Sequence, residues 1–435
     1  MIYTLSVIIK ENGNFAINAK WSKFACMKKI LHRILFTLPV AAVICGCGDD
    51  RSGEFHELTK ENQWVYAQMK ETYLWGDSIK EPSQSTFFSV PEQFFGKLLY
   101  KSDKISFFGT AEAEDTYGMQ ISLMRDPLGV EPARVYALVE NVEPQSVAAN
   151  AGIERGMYIS KINGTKLNMG ISESLSSGSS KELELCHIVF DDETGSYTWE
   201  QLSTVTIEAS APILPAAIPV TKIFESTSSS VGYILCNSFD YADDVNTIQE
   251  CLQNFATAGV NNMILDLRYN TSVSLDNAIA IASSLVPAEK QETLFCTLYR
   301  RLDKSVNENR LFIPATTTFA DIPLYIVTTE RTAGISSALV RALRIARGSA
   351  NVKVIGKQAT GNSLYTERLV SPYGFEMSPV TAFIYDAGGN PLSPIAPDYE
   401  IDEFANLKSI YPLGDRREHI VNSITYLIAN GTMPE

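Results

Sequence analysis

The sequence is poor in histidine, since its 435 residues contain four. Three of them, His56, His187 and His419, follow residue 47 and are scattered singly along the chain. A zinc site or a Ser-His-Asp triad needs histidines that converge with other ligands or catalytic groups, and no spacing here suggests one. We therefore predict neither a metal nor a cofactor.

Clustered cysteines and clustered positive charges are also missing. Four cysteines follow Cys47: Cys186, Cys236, Cys251 and Cys296. None of them has the spacing of a metal site. Their apolar neighbours predict buried free thiols, although export would permit one disulfide. The formal charge is −14, with no block of lysine or arginine after residue 47. This balance argues against nucleic-acid binding and against electrostatic docking to a membrane.

One long apolar run is present, at residues 34–44, and it is too short to span a bilayer comfortably. It follows Met27, Lys28 and Lys29, so residues 1–47 are predicted to be a leader with a signal peptide whose true start is Met27. The run ends in Ile-Cys-Gly-Cys, which resembles a bacterial lipobox and makes Cys47 the predicted lipidation site. The alternative is an ordinary secreted protein that is cleaved nearby.

The residues behind Cys47 bear on localisation. Gly48-Asp49-Asp50 is acidic, as in lipoproteins that some Gram-negative lineages send to the outer face of the outer membrane. A solvated linker would look the same. The expectation is an outer-membrane lipoprotein of the cell envelope, with surface exposure left open together with the oligomeric state.

Composition and periodicity divide the rest of the chain. We predict a tether at 48–58, a helical unit at 59–108, a β-rich unit at 109–210, an Ala/Pro-rich linker at 211–220 and a large unit at 221–435.

The β-rich unit has a recognisable succession of short strands and turns. Ala151-Gly152-Ile153 and Asn163-Gly164 mark turns between predicted strands, an order that resembles the PDZ domains of bacterial proteases. That resemblance implies capture of a peptide or protein C-terminus by strand addition, with backbone amides near Gly118 binding the carboxylate. The implied binding residues are Tyr117, Gly118, Met119, Gln120 and Ile121. A degenerate module retained for packing is the alternative.

The large unit alternates apolar strands with helices, which predicts a βαβ core around a buried, mostly parallel sheet. The predicted elements are strands at 231–239, 262–267, 324–328 and 352–356 and helices at 244–258, 275–285, 336–347 and 416–429.

Four stretches of this unit, at 231–239, 265–270, 329–333 and 354–361, together with the order of the units, resemble the C-terminal processing (tail-specific) serine peptidases. The resemblance implies a ClpP/crotonase-like α/β core with an inserted PDZ-like domain and a small N-terminal helical unit. It also implies a serine nucleophile just before a helix, a lysine base after a later strand, and an oxyanion hole of backbone amides.

The catalytic positions of that family carry other residues in this chain. Gly334 stands at the place of the nucleophile and has no side chain to attack a carbonyl. Asn362 replaces the lysine, and a neutral amide cannot accept a proton from a hydroxyl. Thr271, Ser272 and Val273 replace three oxyanion-hole glycines. Since all three parts are altered, the sequence predicts a pseudopeptidase.

Two alternatives stay open. A displaced pair, Ser336 or Ser337 with Lys357, could restore peptidase activity, although Ser336 or Ser337 is better explained as a helix cap and Lys357 as a solvated lysine. The scaffold could instead serve as the rigid body of a structural surface lipoprotein. The sequence does not identify a ligand.

Overall fold

The structure is a computed structural model that describes residues 52–109, 114–170, 173–213, 216–226, 229–315, 319–407 and 410–434. The predicted leader, Met27 and the lipidation site Cys47 lie outside these residues. None of the helices that the structure describes combines the length and apolar character needed to cross a bilayer.

The N-terminal unit is helical, as predicted. It contains α1 (Ser52–Thr72), α2 (Pro91–Leu98), two 3₁₀ helices (Gly76–Ser78 and Gln84–Phe88) and β1 (Phe107–Phe108). Helix α1 begins at Ser52, inside the segment predicted as a tether. Early in this helix Lys60 pairs with Glu57 at 2.9 Å, and charged helix formers of this kind look like a linker in the sequence.

The N-terminal unit is not separate from the large unit. Its buried side chains, among them Met69, Tyr73 and Phe94, share one apolar cluster with Met377 and Val380 of the large unit. The backbone amide of Leu74 also donates to the Val380 carbonyl at 2.8 Å. Burial of these side chains fixes the unit against the C-terminal half of the chain.

A β-rich unit occupies residues 114–213. Its elements are β2 (Glu114–Thr116), β3 (Met119–Arg125), β4 (Val135–Val142), α3 (Val147–Asn150), β5 (Tyr158–Ile162), β6 (Thr165–Lys166), α4 (Glu173–Ser176), β7 (Lys181–Asp191), β8 (Ser196–Ile207) and β9 (Ala211–Ile213). The main sheet has the order β3-β4-β5-β7-β8, with β6 paired to β5, and β2 pairs with β9 where the chain enters and leaves the unit.

The large unit contains the remaining elements. They are β10 (Val220–Glu225), β11 (Ser230–Leu235), α5 (Ala242–Thr257), β12 (Asn262–Asp266), α6 (Leu275–Ser283), a 3₁₀ helix (Ala288–Lys290), β13 (Leu294–Tyr299), β14 (Asn307–Leu311), β15 (Leu324–Thr328), α7 (Ser336–Arg347), β16 (Val352–Gly356), β17 (Leu364–Thr366), β18 (Leu369–Val370), β19 (Glu376–Ser378), β20 (Val380–Asp386), β21 (Tyr399–Glu400) and α8 (His419–Asn430).

The central sheet has the order β10-β11-β12-β15-β16-β21, and β11 to β21 run parallel. Alternate residues of each strand face opposite layers. Leu265 and Ile326 face α5, α6 and α7 in one cluster, whereas Ile264 and Tyr325 face α8 in another. Burial on both faces explains why these strands are continuous apolar runs in the sequence.

A second sheet of this unit has no counterpart in the sequence-based prediction. It is antiparallel, with the order β14-β13-β20-β17, and its inner residues, such as Leu298 and Ile384, join the cluster around α7. A small sheet, β1-β19-β18, joins β1 of the N-terminal unit to β18 and β19 of the large unit.

Predicted and observed boundaries agree best where both ends of an element are buried. The strands at 324–328 and 352–356 and the helix at 336–347 have the predicted limits. Helix α8 begins at His419 instead of 416, because the Glu418 carboxylate accepts the Val421 amide and caps the helix. Cys186, Cys236 and Cys296 are buried free thiols, and Cys251 is half-buried.

Candidate functional site

Three loops meet at the carboxyl end of the central sheet. They follow β12, β15 and β16, which are neighbours in the sheet, so the positions marked in the sequence lie on adjacent connections. Parallel sheets place functional residues at this edge because the loops converge there. The loop after β15 is in direct backbone contact with each of the other two.

Gly334 lies against the loop that follows β12. Its φ is +64°, and the flanking amides of Ala333 and Ile335 donate to the carbonyls of Asn270 (3.0 Å) and Ser272 (2.8 Å). A Cβ atom at Gly334 would be 2.4 Å from the Ser272 carbonyl oxygen and 3.0 Å from that of Thr271. Glycine is therefore required here both by the backbone conformation and by the contact.

The amides of the loop at 272–274 all have acceptors within the protein. The Ser272 amide donates to Asn270 Oδ1 at 3.0 Å, and the amides of Val273 and Ser274 donate to one oxygen of Asp240 at 2.7 and 3.0 Å. The Ser272 hydroxyl in turn accepts the amide of Phe239 at 2.9 Å. In this arrangement none of these three amides points at an open oxyanion site.

Asp240 was not a candidate in the sequence, because a single aspartate after a strand carries no pattern. Burial raises the pKa of its carboxyl group by disfavouring the charged form, and the Val273 and Ser274 amides oppose that shift. Its carboxylate accepts hydrogen bonds from two amides at the start of α6, where the helix dipole favours a negative charge.

The two serines after Gly334 are buried and engaged. Ser336 has no exposed surface, and its hydroxyl donates to Asn270 Oδ1 at 2.5 Å. The Ser337 hydroxyl donates to the Thr360 carbonyl at 2.8 Å. The expectation that one of them caps α7 was wrong: the helix starts from Ile335 with no side-chain cap, since tertiary partners take both hydroxyls.

Lys357 lies within reach of two carboxylates, with its ammonium 3.3 Å from Glu400 and 3.7 Å from Asp402. Partial burial lowers the pKa of this lysine, but Asp402 and Glu400 outweigh burial and raise it overall. A raised pKa keeps the ammonium protonated, which is the opposite of what a general base requires. Lys357 is therefore a paired lysine and not the freely solvated one that we expected.

Asn362 closes a local turn. Its Oδ1 accepts the Leu364 amide at 3.0 Å, and the preceding Gly361 packs so closely against the Ser393 backbone that a Cβ would overlap it. Two residues earlier, the Thr360 amide donates to the Thr332 carbonyl at 2.9 Å. The connection that would carry the family's lysine thus runs along the start of α7.

The predicted peptide-binding residues lie at the start of β3. Tyr117 is fully buried, its amide donates to the Ser176 carbonyl at 3.0 Å, and the Gly118 amide donates to the Thr116 hydroxyl at 3.1 Å. A Cβ at Gly118 would be 2.2 Å from that of Ser146. Two amides that the resemblance assigns to a peptide carboxylate therefore have internal acceptors.

The other three predicted residues belong to the strand itself. Met119 and Ile121 face the core of the β-rich unit, and Gln120 accepts a hydrogen bond from Arg331 of the large unit at 3.3 Å. Among the described residues, β3 pairs with β4 alone, so its second edge is open.

A buried ionic cluster joins the β-rich unit to the large unit, and no sequence pattern indicated it. Arg268, fully buried, contacts Asp266 (2.7 Å), Glu403 (2.7 Å) and Glu418 (3.0 Å). Arg155 of the β-rich unit contacts Glu403 at 3.1 Å and Glu418 at 3.5 Å. We call these five residues the junction cluster.

Burial in this cluster disfavours the charged forms of the side chains, but neighbouring groups of opposite charge outweigh that effect. The pKa of Arg268 is well above its ordinary value because Asp266, Glu418 and Glu403 overcome desolvation. Next to the cluster, Arg331 contacts Glu140 of the β-rich unit at 2.5 Å. Burial raises the pKa of Glu140, and Arg331 counteracts that shift. The two units are thus fixed to each other by charge.

A cleft of about 580 Å³ lies beside α7, between Arg341, Arg344 and residues 394–398. It is lined by none of the positions discussed above. Within the described ranges, no group of three or more histidine, cysteine, aspartate or glutamate side chains is placed to hold a metal ion.

Two family profiles match the N-terminal unit and the large unit, and neither covers the β-rich unit. The profile of peptidase family S41 matches residues 230–401, and that of the S41 N-terminal domain matches residues 60–107. A search of the curated proteins found no match.

Two solved structures illustrate the similarity. A protein from Bacteroides fragilis described as a candidate S41 protease is 25% identical, with a TM-score of 0.70 over 85% of this chain and 97% of that one. The photosystem II D1 C-terminal processing protease is 14% identical, with a TM-score of 0.47 over 81% of this chain and 96% of that one.

The two profiles and the similarity to the Bacteroides fragilis protein define the class: this is a protein with the fold of an S41 peptidase. The chain belongs to peptidase family S41.

Proposed function

We propose that this chain is a lipid-anchored protein of the cell envelope that uses the S41 peptidase fold to bind a peptide or protein chain without cleaving it. The observation that carries the proposal is the contact at Gly334. The Cβ of a serine at this position would be 2.4 Å from the Ser272 carbonyl oxygen, closer than such atoms approach in proteins. Loss of the nucleophile is thus accompanied by a loop that fills its place.

The surrounding contacts agree with loss of peptidase chemistry. The amides at 272–274 donate to Asn270 and Asp240, so an oxyanion would have to displace these acceptors. The rival pair is poorly suited to catalysis, because Ser336 has no exposed surface and Lys357 is held protonated by acidic neighbours.

The open edge of β3 is the surface that we propose for binding. The Asp126 amide donates to the Arg134 carbonyl, so in an antiparallel pair the amide of the preceding Arg125 points away from β4. An extended segment could therefore add to β3 as a further strand. Because the amides of Tyr117 and Gly118 are used internally, we expect binding not to depend on a free carboxylate.

The test uses residues 48–435 with casein and with peptides bearing apolar C-termini, each peptide with a free or an amidated end. We expect no cleavage, and binding that is equal for both ends. Arg125→Pro removes the outward amide and should weaken binding at least tenfold, whereas Arg125→Ala, which keeps the amide, should not. Turnover abolished by Ser336→Ala or Lys357→Ala, with fluorophosphonate labelling, would establish an active peptidase instead. Failure of a peptide array to bind would favour a structural surface lipoprotein.

A further inference from the structure

Two exposed aromatic rings are neighbours on the N-terminal unit, and an exposed valine follows the second of them by two positions. Phe55, near the start of α1, and Phe88, at the end of a 3₁₀ helix, have ring centroids 5.2 Å apart. Phe55 and Phe88 are each 41% exposed, and Val90, which precedes α2, is 48% exposed. We call these three residues the N-terminal apolar patch.

The patch is held in place by buried contacts. The side-chain amide of Asn62, fully buried in α1, donates to the carbonyls of Phe87 (2.9 Å) and Ser89 (2.6 Å). Phe87 packs against Phe94 with centroids 4.9 Å apart. Phe87 is thus turned inward and Phe88 outward by a fixed backbone, so the exposure of Phe88 is a property of the folded unit.

The distance to the proposed anchor limits where this patch can be. Cys47 and Ser52, the first residue of α1, are five positions apart. Five residues span at most about 18 Å even when fully extended. If Cys47 carries the lipid, the first turn of α1 cannot leave the vicinity of the bilayer.

The chemistry of the patch suits a bilayer interface. Aromatic and aliphatic side chains enter the boundary between headgroups and acyl chains, while flanking lysines reach the headgroups. Lys97, whose ammonium is 3.4 Å from the Ser89 hydroxyl, lies at the rim of the patch. We infer that the N-terminal apolar patch rests on the lipid bilayer and orients the rest of the protein relative to the membrane. This inference rests on the lipid anchor proposed above.

The experiment uses the full chain, produced with its leader in a bacterium that lipidates exported proteins and reconstituted into phosphatidylethanolamine/phosphatidylglycerol vesicles. A polarity-sensitive fluorophore is attached through Phe88→Cys or, as a matched control, Val130→Cys. Val130 is 72% exposed on the turn between β3 and β4 of the β-rich unit. Both samples carry Cys251→Ser, because Cys251 is half-buried while Cys186, Cys236 and Cys296 are buried.

We expect nitroxide-bearing lipids to quench the probe at position 88 by at least half and to leave the probe at position 130 unchanged. Equal quenching at both positions, or none at position 88, would overturn the inference and leave the patch to solvent or a protein partner.

Mass spectrometry of Cys47 separates this result from failure of the anchor. If Cys47 carries no lipid, the chain beginning at Cys47 is joined through its N-terminal amine and thiol to a lipid aldehyde. This leaves the thiol at position 88 or 130 for the fluorophore, and the quenching is repeated. Quenching confined to position 88 in that sample would support contact of the patch with the bilayer although the natural anchor is absent. Absence of quenching would overturn the inference about the patch as well.

Discussion

The junction cluster and the contact at Gly334 bury polar groups in different ways. Both lie at the carboxyl end of the central sheet, where polar groups must be buried. At the junction, side-chain charges pair across two units, with Arg268 between Asp266, Glu403 and Glu418. At Gly334, backbone amides pair with backbone carbonyls of Asn270 and Ser272.

The difference teaches which changes each region tolerates. A buried charge needs its partner, so the junction should be sensitive to loss of one side chain. A backbone contact needs close approach, so the Gly334 region should be sensitive to the addition of a side chain. The second arrangement leaves no room for a larger side chain at Gly334.

The largest effect is expected from Arg268→Ala, which leaves three buried carboxylates without their central cation. We expect a loss of about 3–5 kcal/mol in the free energy of unfolding, measured by urea denaturation. Arg417→Ala is the control, because this arginine is exposed and pairs only locally with Asp415, and it should stay close to wild type. Equal stability of the two variants would break the comparison.

Gly334→Ser places a serine where the resemblance puts the family's nucleophile. We expect it to destabilise the protein by about 2–3 kcal/mol without producing activity. Gly259→Ser is the matched control, since Gly259 has a similar φ of +69° but a Cβ at that position would have no atom within 4 Å. The difference between the two variants measures the contact with Ser272. Casein cleavage by Gly334→Ser would contradict our account of the loop.

Asp240→Ala removes the acceptor of two backbone amides and should cost about 1–2 kcal/mol. Hydrogen exchange at Val273 and Ser274 should become faster. Asp240→Asn keeps an oxygen acceptor and avoids a buried charge, so it should remain near wild type. Protection of both amides in Asp240→Ala would show that another group holds the loop.

The smallest effect concerns pH and the junction cluster. Burial disfavours the charged form of Glu403, but Arg155 and Arg268 outweigh it and hold its pKa below the ordinary 4.5. Because the unfolded chain takes up this proton first as the pH falls, the stabilisation is present above pH 4.5 and is lost as the pH falls through the lower folded pKa.

The matched variant for this effect is Glu403→Gln. The difference in unfolding free energy between it and wild type should be largest at neutral pH and shrink on acidification. A difference that is constant with pH would mean that Glu403 is not ionised in the folded protein.

Much of the fold could be predicted because its signals are local. The apolar strands at 324–328 and 352–356 and the helix between them are buried on regular faces, so periodicity alone gives their limits. The start of α1 at Ser52 was missed because the residues before Leu58 are mostly polar and small. The sheet containing β13 and β20 was missed because its strands pair across long stretches of sequence.

In the candidate site, too, the residues within local motifs could be predicted, and those that depend on distant contacts could not. Gly334, Asn362 and Thr271–Val273 could be marked because each follows a strand within a recognisable motif. Asp240, the acceptor of the loop amides, could not be marked, since its partners are more than thirty residues away. The engagement of Ser336 with Asn270 likewise depends on a contact across 66 positions.

The sequence by itself determined that this chain has an S41-type core and that Gly334, Asn362 and Thr271–Val273 stand where the resemblance places catalytic residues, because residue identity and local periodicity are written in it. Only the tertiary structure decided that the Ser272 carbonyl lies against Gly334, that Asp240 accepts the loop amides, and that Arg155 and Arg268 hold two units together. Those features depend on close approach and on burial of charge between residues far apart in the chain, and neither property is visible before the chain is folded.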